Sequence, residues 1–134
     1  MDENVVVARF LDGRTVKGQT TDFDPSRREF HITPATADPG ESRVVNVKEL
    51  KALFFVRSLK GDAQYRERKN FRPEDPNRGP KVEITFSDGE TLVGYTVVRD
   101  VWERTGFFVT PLDPRGNNRK VFVITSAVMN IRFL

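Results

Sequence analysis

The sequence predicts an all-β chain: two tandem, small five-stranded barrels joined by a charged linker with a short helix. Three observations carry this expectation. Apolar and polar side chains alternate in several short runs, Asp-Gly pairs follow those runs, and one stretch of chain recurs further on.

The recurrence is the most informative of the three. Phe10-Leu11-Asp12-Gly13-Arg14-Thr15-Val16-Lys17-Gly18-Gln19-Thr20 lies over Phe86-Ser87-Asp88-Gly89-Glu90-Thr91-Leu92-Val93-Gly94-Tyr95-Thr96. Phe, Asp, Gly, Thr, Gly and Thr coincide, with both glycines in register. Asp24 falls on Asp100. After one inserted residue Thr33-Pro34 matches Thr110-Pro111, and Arg43-Val44 is aligned with Lys120-Val121. Both copies end in apolar runs, Leu50 to Val56 and Val128 to Leu134. The expected units are 1–58 and 81–134, separated by a linker over 59–80.

Each element has a local reason. Val6, Ala8 and Phe10 alternate, as do Val82, Ile84 and Phe86, which marks first strands with one face in a core. Asp12-Gly13 and Asp88-Gly89 follow, where a tight turn needs a residue at positive φ. Second strands are expected over Thr15–Phe23 and Thr91–Arg99. Gly18 and Gly94 inside them mark bulges or sharp bends, as small barrels need at corners. Third strands span Glu29–Thr33 and Gly106–Thr110 and stop at Pro34 and Pro111, which lack the N–H a ladder requires. Arg43–Val47 with Leu53–Val56, and Lys120–Ile124 with Asn130–Leu134, complete five strands per copy. The linker is polar and rich in Pro and Gly, and Asp62 to Asn70 offers an N-cap candidate followed by good helix formers.

Composition narrows the function classes. The net charge is +3, with no strong concentration of basic residues. The densest cluster is Arg66, Arg68, Lys69 and Arg72. The chain has no Cys, which excludes disulfides, thiol catalysis and the usual structural zinc sites, and fits a reducing compartment. No signal peptide is read at the acidic start, and no apolar window approaches the roughly 18 residues of a membrane span. A cytoplasmic location and no membrane contact are expected.

The order strand, Asp-Gly, glycine-bent strand, loop Asp, third strand and two closing strands resembles the Sm-like small barrel across both copies. That resemblance implies SH3/Sm-like barrels, bend glycines at Gly18 and Gly94, loop aspartates at Asp24 and Asp100, and ring-forming binders of uridine-rich RNA. The loops after both aspartates lack the family's base-holding Asn. A second pattern is similar to PilZ domains. Arg68-Lys69-Asn70-Phe71-Arg72 fits R-x-x-x-R, and Asp100-Val101-Trp102-Glu103-Arg104-Thr105-Gly106 lies downstream, with Trp102 in the place of the family's serine. That resemblance implies a cyclic di-GMP site using Arg68, Arg72 and Asp100, since guanidinium groups hold phosphates and guanine edges in pairs.

The candidate ligand-binding residues are therefore Arg68, Arg72, Asp100, Trp102 and Arg104. Trp102, in a charged loop, is a candidate anchor for a partner or a stacked base. His31 is the only histidine and reads as a strand residue, while Asp12 and Asp88 read as turn formers. No catalytic residues, metal ligands or cofactor are expected. The leading expectation is a non-enzymatic intracellular interaction or regulatory module with a protein partner, including homo-oligomers through strand addition. A cyclic di-GMP sensor and an RNA binder stay open beside it.

Overall fold

The computed structural model describes residues 4–36, 40–61 and 64–134. The strands are β1 (Asn4–Phe10), β2 (Thr15–Thr20), β3 (Glu29–Pro34), β4 (Arg43–Asn46), β5 (Leu50–Val56), β6 (Lys81–Phe86), β7 (Thr91–Tyr95), β8 (Gly106–Pro111), β9 (Asn118–Ile124) and β10 (Val128–Phe133). Single 3-10 turns at Val47–Glu49, Val101–Glu103 and Thr125–Ala127 join them. The second strands stop earlier than expected, at Thr20 and Tyr95.

All pairings are antiparallel, and the strands form one open sheet in the order β10-β6-β7-β8-β9-β5-β1-β2-β3-β4. Each half keeps the same internal order. Two separately closed barrels are not what the hydrogen bonding describes. The reason lies in β5, which pairs with β1 of its own half and with β9 of the other, so it is not free to close on β4.

The repeated turn chemistry is the same in both halves. Gly13 and Gly89 take φ of 93° and 91°. The Gly13 N–H donates to the Phe10 carbonyl, the Gly89 N–H to that of Phe86, and Asp12 and Asp88 accept from the N–H groups of Arg14 and Glu90. The bend glycines answer a closer approach. A Cβ on Gly18 would overlap the Thr33 carbonyl oxygen, and one on Gly94 the Thr110 carbonyl oxygen. Only glycine lets β3 and β8 come so near.

Register also corrects the sequence alignment. Phe30 pairs with Val45 and Phe107 with Val123, so Val45 corresponds to Val123 and Val44 to Phe122. Arg43-Val44 therefore lies over Val121-Phe122. A one-residue slip turns every side chain to the other face, and the buried face decides. Near the start of β5 the register shifts so that Arg9 faces Ala52 and Phe10 faces Leu50, leaving Lys51 as the extra residue of a bulge. β10 repeats this with Met129 between Val128 and Asn130.

Two cores result, and the central strands serve both. Leu50, Leu53 and Phe55 of β5 join Phe122 and Ile124 of β9 in the first core, with Val6, Phe10, Phe30 and Ile32. Ala52 and Phe54 join Val121 and Val123 in the second, with Val82, Ile84 and Phe107. A strand buried on both faces needs an unbroken apolar run, which is what Ala52–Val56 of β5 and Val121–Ile124 of β9 carry.

The linker is a strap on the second half. Of the expected helix, Asp62 lies outside the described residues and 64–70 contain no helix. Phe71 packs with Val93, Tyr95 and Leu112 on the side of β7 away from the core. The Tyr95 hydroxyl donates to the Pro76 carbonyl. No helix among the described residues is long and apolar enough to cross a membrane.

Candidate functional site

Arg68 and Arg72 belong to this strap. The Arg68 guanidinium meets Asp75 in a two-pronged pair, with both N···O distances 2.8 Å. The Arg72 N–H donates to the same carboxylate at 2.7 Å. The Arg68 guanidinium and then the Arg72 N–H hold the Asp75 carboxyl down to about 2. The Arg68 N–H reaches Asp113, which also accepts from the Tyr65 hydroxyl and the Arg115 N–H. Burial pushes the Asp113 carboxyl up, but these donors outweigh it and leave it below the usual range. Arg66, Arg68, Arg72 and Arg115 line a hollow of about 460 Å³ beside Asp113.

Asp100, Trp102 and Arg104 stand elsewhere, on and beside the 3-10 turn Val101–Glu103. None of them lines the arginine hollow. Asp100 accepts from Arg104 Nε at 2.9 Å, which lowers its carboxyl. Val101 is buried and Trp102 is 57% exposed, so this turn presents the tryptophan outward. The five candidate residues thus form two groups.

His31 pairs with a carboxylate. Its Nδ1 lies 2.7 Å from Asp22 Oδ2, and its N–H donates to Asp22 Oδ1. Burial raises the Asp22 carboxyl, and the His31 contacts more than reverse this. Asp22, His31 and Ser42 line one surface hollow, but among the described residues the His31 side chain hydrogen-bonds only to Asp22. The pair ties the β2–β3 loop to β3. Asp24 likewise caps its own turn through Ser26.

Two features lie outside the candidate residues. The first is Lys51. Its side chain, 8% exposed, donates to Asp88 at 2.7 Å and also to Glu90, and lies 4.7 Å above the Phe86 ring. The bulge thereby links the first half to the β6–β7 hairpin of the second. A lone lysine inside Leu50–Val56 was its signal. Beside it, Arg9, Lys17, Lys51, Lys60 and Lys69 line a hollow of about 300 Å³.

The second feature is the pair of sheet edges. β4 and β10 each pair on one side only. Val44 on β4 and Met129 and Phe133 on β10 are exposed, as are Leu134 and the hairpin residue Leu11. Among the described residues no group of His, Cys, Asp and Glu is arranged to hold a metal ion.

A family model of unknown function, DUF6982, matches residues 2–134. The chain belongs to DUF6982. The match spans both halves and the strap. No curated protein and no solved structure matches it.

Proposed function

We propose that the chain is a non-enzymatic, intracellular interaction module that binds a protein partner by accepting a strand at an open sheet edge. In the finer architecture of this reading, each half is a small Sm-like barrel, and the two share β5 and β9. The single observation that supports the function is the state of β10: a six-residue edge strand with one side unpaired and exposed Met129 and Phe133 on it. An unpaired edge offers a row of N–H and C=O groups that an extended segment completes, and apolar side chains add affinity.

The test uses a labelled peptide copying 117–124, whose strand already pairs with β5, the counterpart of β10. Fluorescence anisotropy is expected to show saturable binding, lost with a scrambled peptide and weakened in an Ile131→Pro variant. No binding at any protein concentration overturns the reading.

The arginine hollow favours one second reading, a cyclic di-GMP sensor built on Arg68 and Arg72. Arg68 is already committed to Asp75, so it would have to exchange that partner for phosphate. Calorimetric titration of cyclic di-GMP, with oligouridine in parallel, separates the ligands. Saturable heat lost in Arg72→Ala would favour the sensor, and binding of oligouridine alone would favour the RNA alternative.

A further inference from the structure

The molecule contains one joint between units, and the repeat implies a second. In the internal joint β5 of the first half pairs with β9 of the second, with Leu53 opposite Phe122 and Ala52 opposite Val123. By register, β10 is the counterpart of β5 and β4 the counterpart of β9. These are the two strands left at the edges. We propose that β10 of one molecule adds antiparallel to β4 of a second copy, in the register of the β5·β9 pair. This rests on the edge-strand reading above and names its occupant.

The exposed apolar residues fit this joint. Phe122 is 2% exposed because it meets β5, whereas its counterpart Val44 is 59% exposed. Leu53 is fully buried, while its counterpart Ile131 is half-buried at the open side of the second core. Transferring the internal register sets Ile131 opposite Val44 of the next copy, closing that core. The hairpin contact transfers too. Lys51 reaches Asp88 and Glu90, so Met129 of one copy would reach their counterparts Asp12 and Arg14 in the β1–β2 hairpin of the next. The external joint therefore has no counterpart of the Lys51 ion pairs, since Met129 is uncharged and exposed in the single chain.

The same register sets Arg132 opposite Arg43 of the next copy, where the internal joint has Phe54 opposite Val121. Directly opposed like charges weaken a strand pair. Arg132 is neutralised in part by Glu83 at 3.0 Å on β6. The external joint is therefore weaker than the internal one and reversible. It is heterologous, so its products are rings or short head-to-tail chains.

The test combines mass and register. Sedimentation of the full chain is expected to show concentration-dependent association. Val44→Asp, a change on an exposed side chain, should weaken it about tenfold or more because a carboxylate would enter the joint. Arg43→Glu should tighten it roughly two- to fivefold by turning a like pair into an opposite one. The chain has no cysteine, so Val44→Cys and Ile131→Cys chains report register cleanly. Mixed under mild oxidation, they should cross-link to each other, with neither linking to itself. A chain that stays monomeric at all concentrations overturns the proposal, and so does self-linking of Ile131→Cys without a mixed product. Peptide addition to a monomeric chain would leave the interaction module standing and remove only the second copy.

Discussion

The two halves of the sheet share strand order, turns and bends, yet equivalent positions meet different surroundings. Leu53 and Lys51 are covered by the second half, whereas Ile131 is half-buried and Met129 faces solvent. Among the described residues no strap covers the first half, whereas residues 64–80 pack on the second. What the comparison teaches is that the unit itself is set by turns and bends, and burial is set by its neighbours.

The largest effect tests what the halves share. Gly18→Ala and Gly94→Ala each force a Cβ into a backbone carbonyl oxygen, which no rotamer relieves. Each is expected to cost roughly 3 kcal/mol or more, read by urea unfolding followed at Trp102. Equal losses would show that the bends bear equally on both halves. A mild loss at one would show that its third strand can move away.

Next comes the difference across the joint. Leu53→Ala removes a fully buried side chain between two units and should cost about 2–5 kcal/mol. Ile131→Ala, at the half-buried counterpart, should cost about 1 kcal/mol in dilute solution. Under conditions of self-association that smaller figure should rise, because the counterpart then gains a neighbour. Thermal unfolding at two protein concentrations reads both.

These effects explain how far the sequence could be read. Strand positions, the Asp-Gly turns and the bend glycines were legible, because each rests on local chemistry that the two copies state twice. The joint was not legible from the repeat alone, since pairing between halves has no local pattern. Its trace was composition: β5 reads Leu-Lys-Ala-Leu-Phe-Phe-Val and β9 ends Val-Phe-Val-Ile, while β10 interposes Asn130 and Arg132. Unbroken apolar runs mark strands buried on both faces. The strap was hidden for another reason. It is held on the sheet by the Arg68 N–H and the Tyr65 hydroxyl on Asp113, by the Tyr95 hydroxyl on the Pro76 carbonyl and by the Phe71–Tyr95 ring contact, which no periodicity reveals. Among the candidate residues, Arg68 and Arg72 line one hollow. Spacing could not show that Asp100, Trp102 and Arg104 lie apart from them.

A smaller effect concerns Lys51. Its counterpart Met129 shows that the bulge accepts an unbranched apolar side chain. Lys51→Met should leave stability within about 1 kcal/mol of the native value, since Asp88 and Glu90 stay half-exposed and solvated and Glu90 keeps its ion pair with Arg9. Removing both acids instead, as Asp88→Asn with Glu90→Gln, leaves a nearly buried ammonium without a carboxylate and should cost more. Equal losses from the two variants would mean that the ion pair itself, and not the cost of burying a lone charge, holds the hairpin.

The smallest effect is local and depends on pH. Asp75 is held at about 2, against 3.8 for a free carboxyl, by Arg68 and the Arg72 N–H. Asp113 is lowered as well, burial being outweighed by its three donors. A depressed carboxyl stabilises the fold fully above its unfolded value and loses that contribution as pH falls through the folded one. The strap should therefore be intact from neutral pH down to about 4 and loosen between there and about 2. Amide exchange at Arg68 and Arg72, whose N–H groups end on Asp113 and Asp75, reads this directly. Their protection should fall in that window while that of β1 and β2 persists, because those strands take no support from the strap. In Asp75→Asn the Arg72 amide should exchange quickly at every pH. If protection of the strap and of the first half instead vanished together, the strap would be part of one cooperative unit, and the contrast between the halves would be one of surroundings alone and not of independent stability.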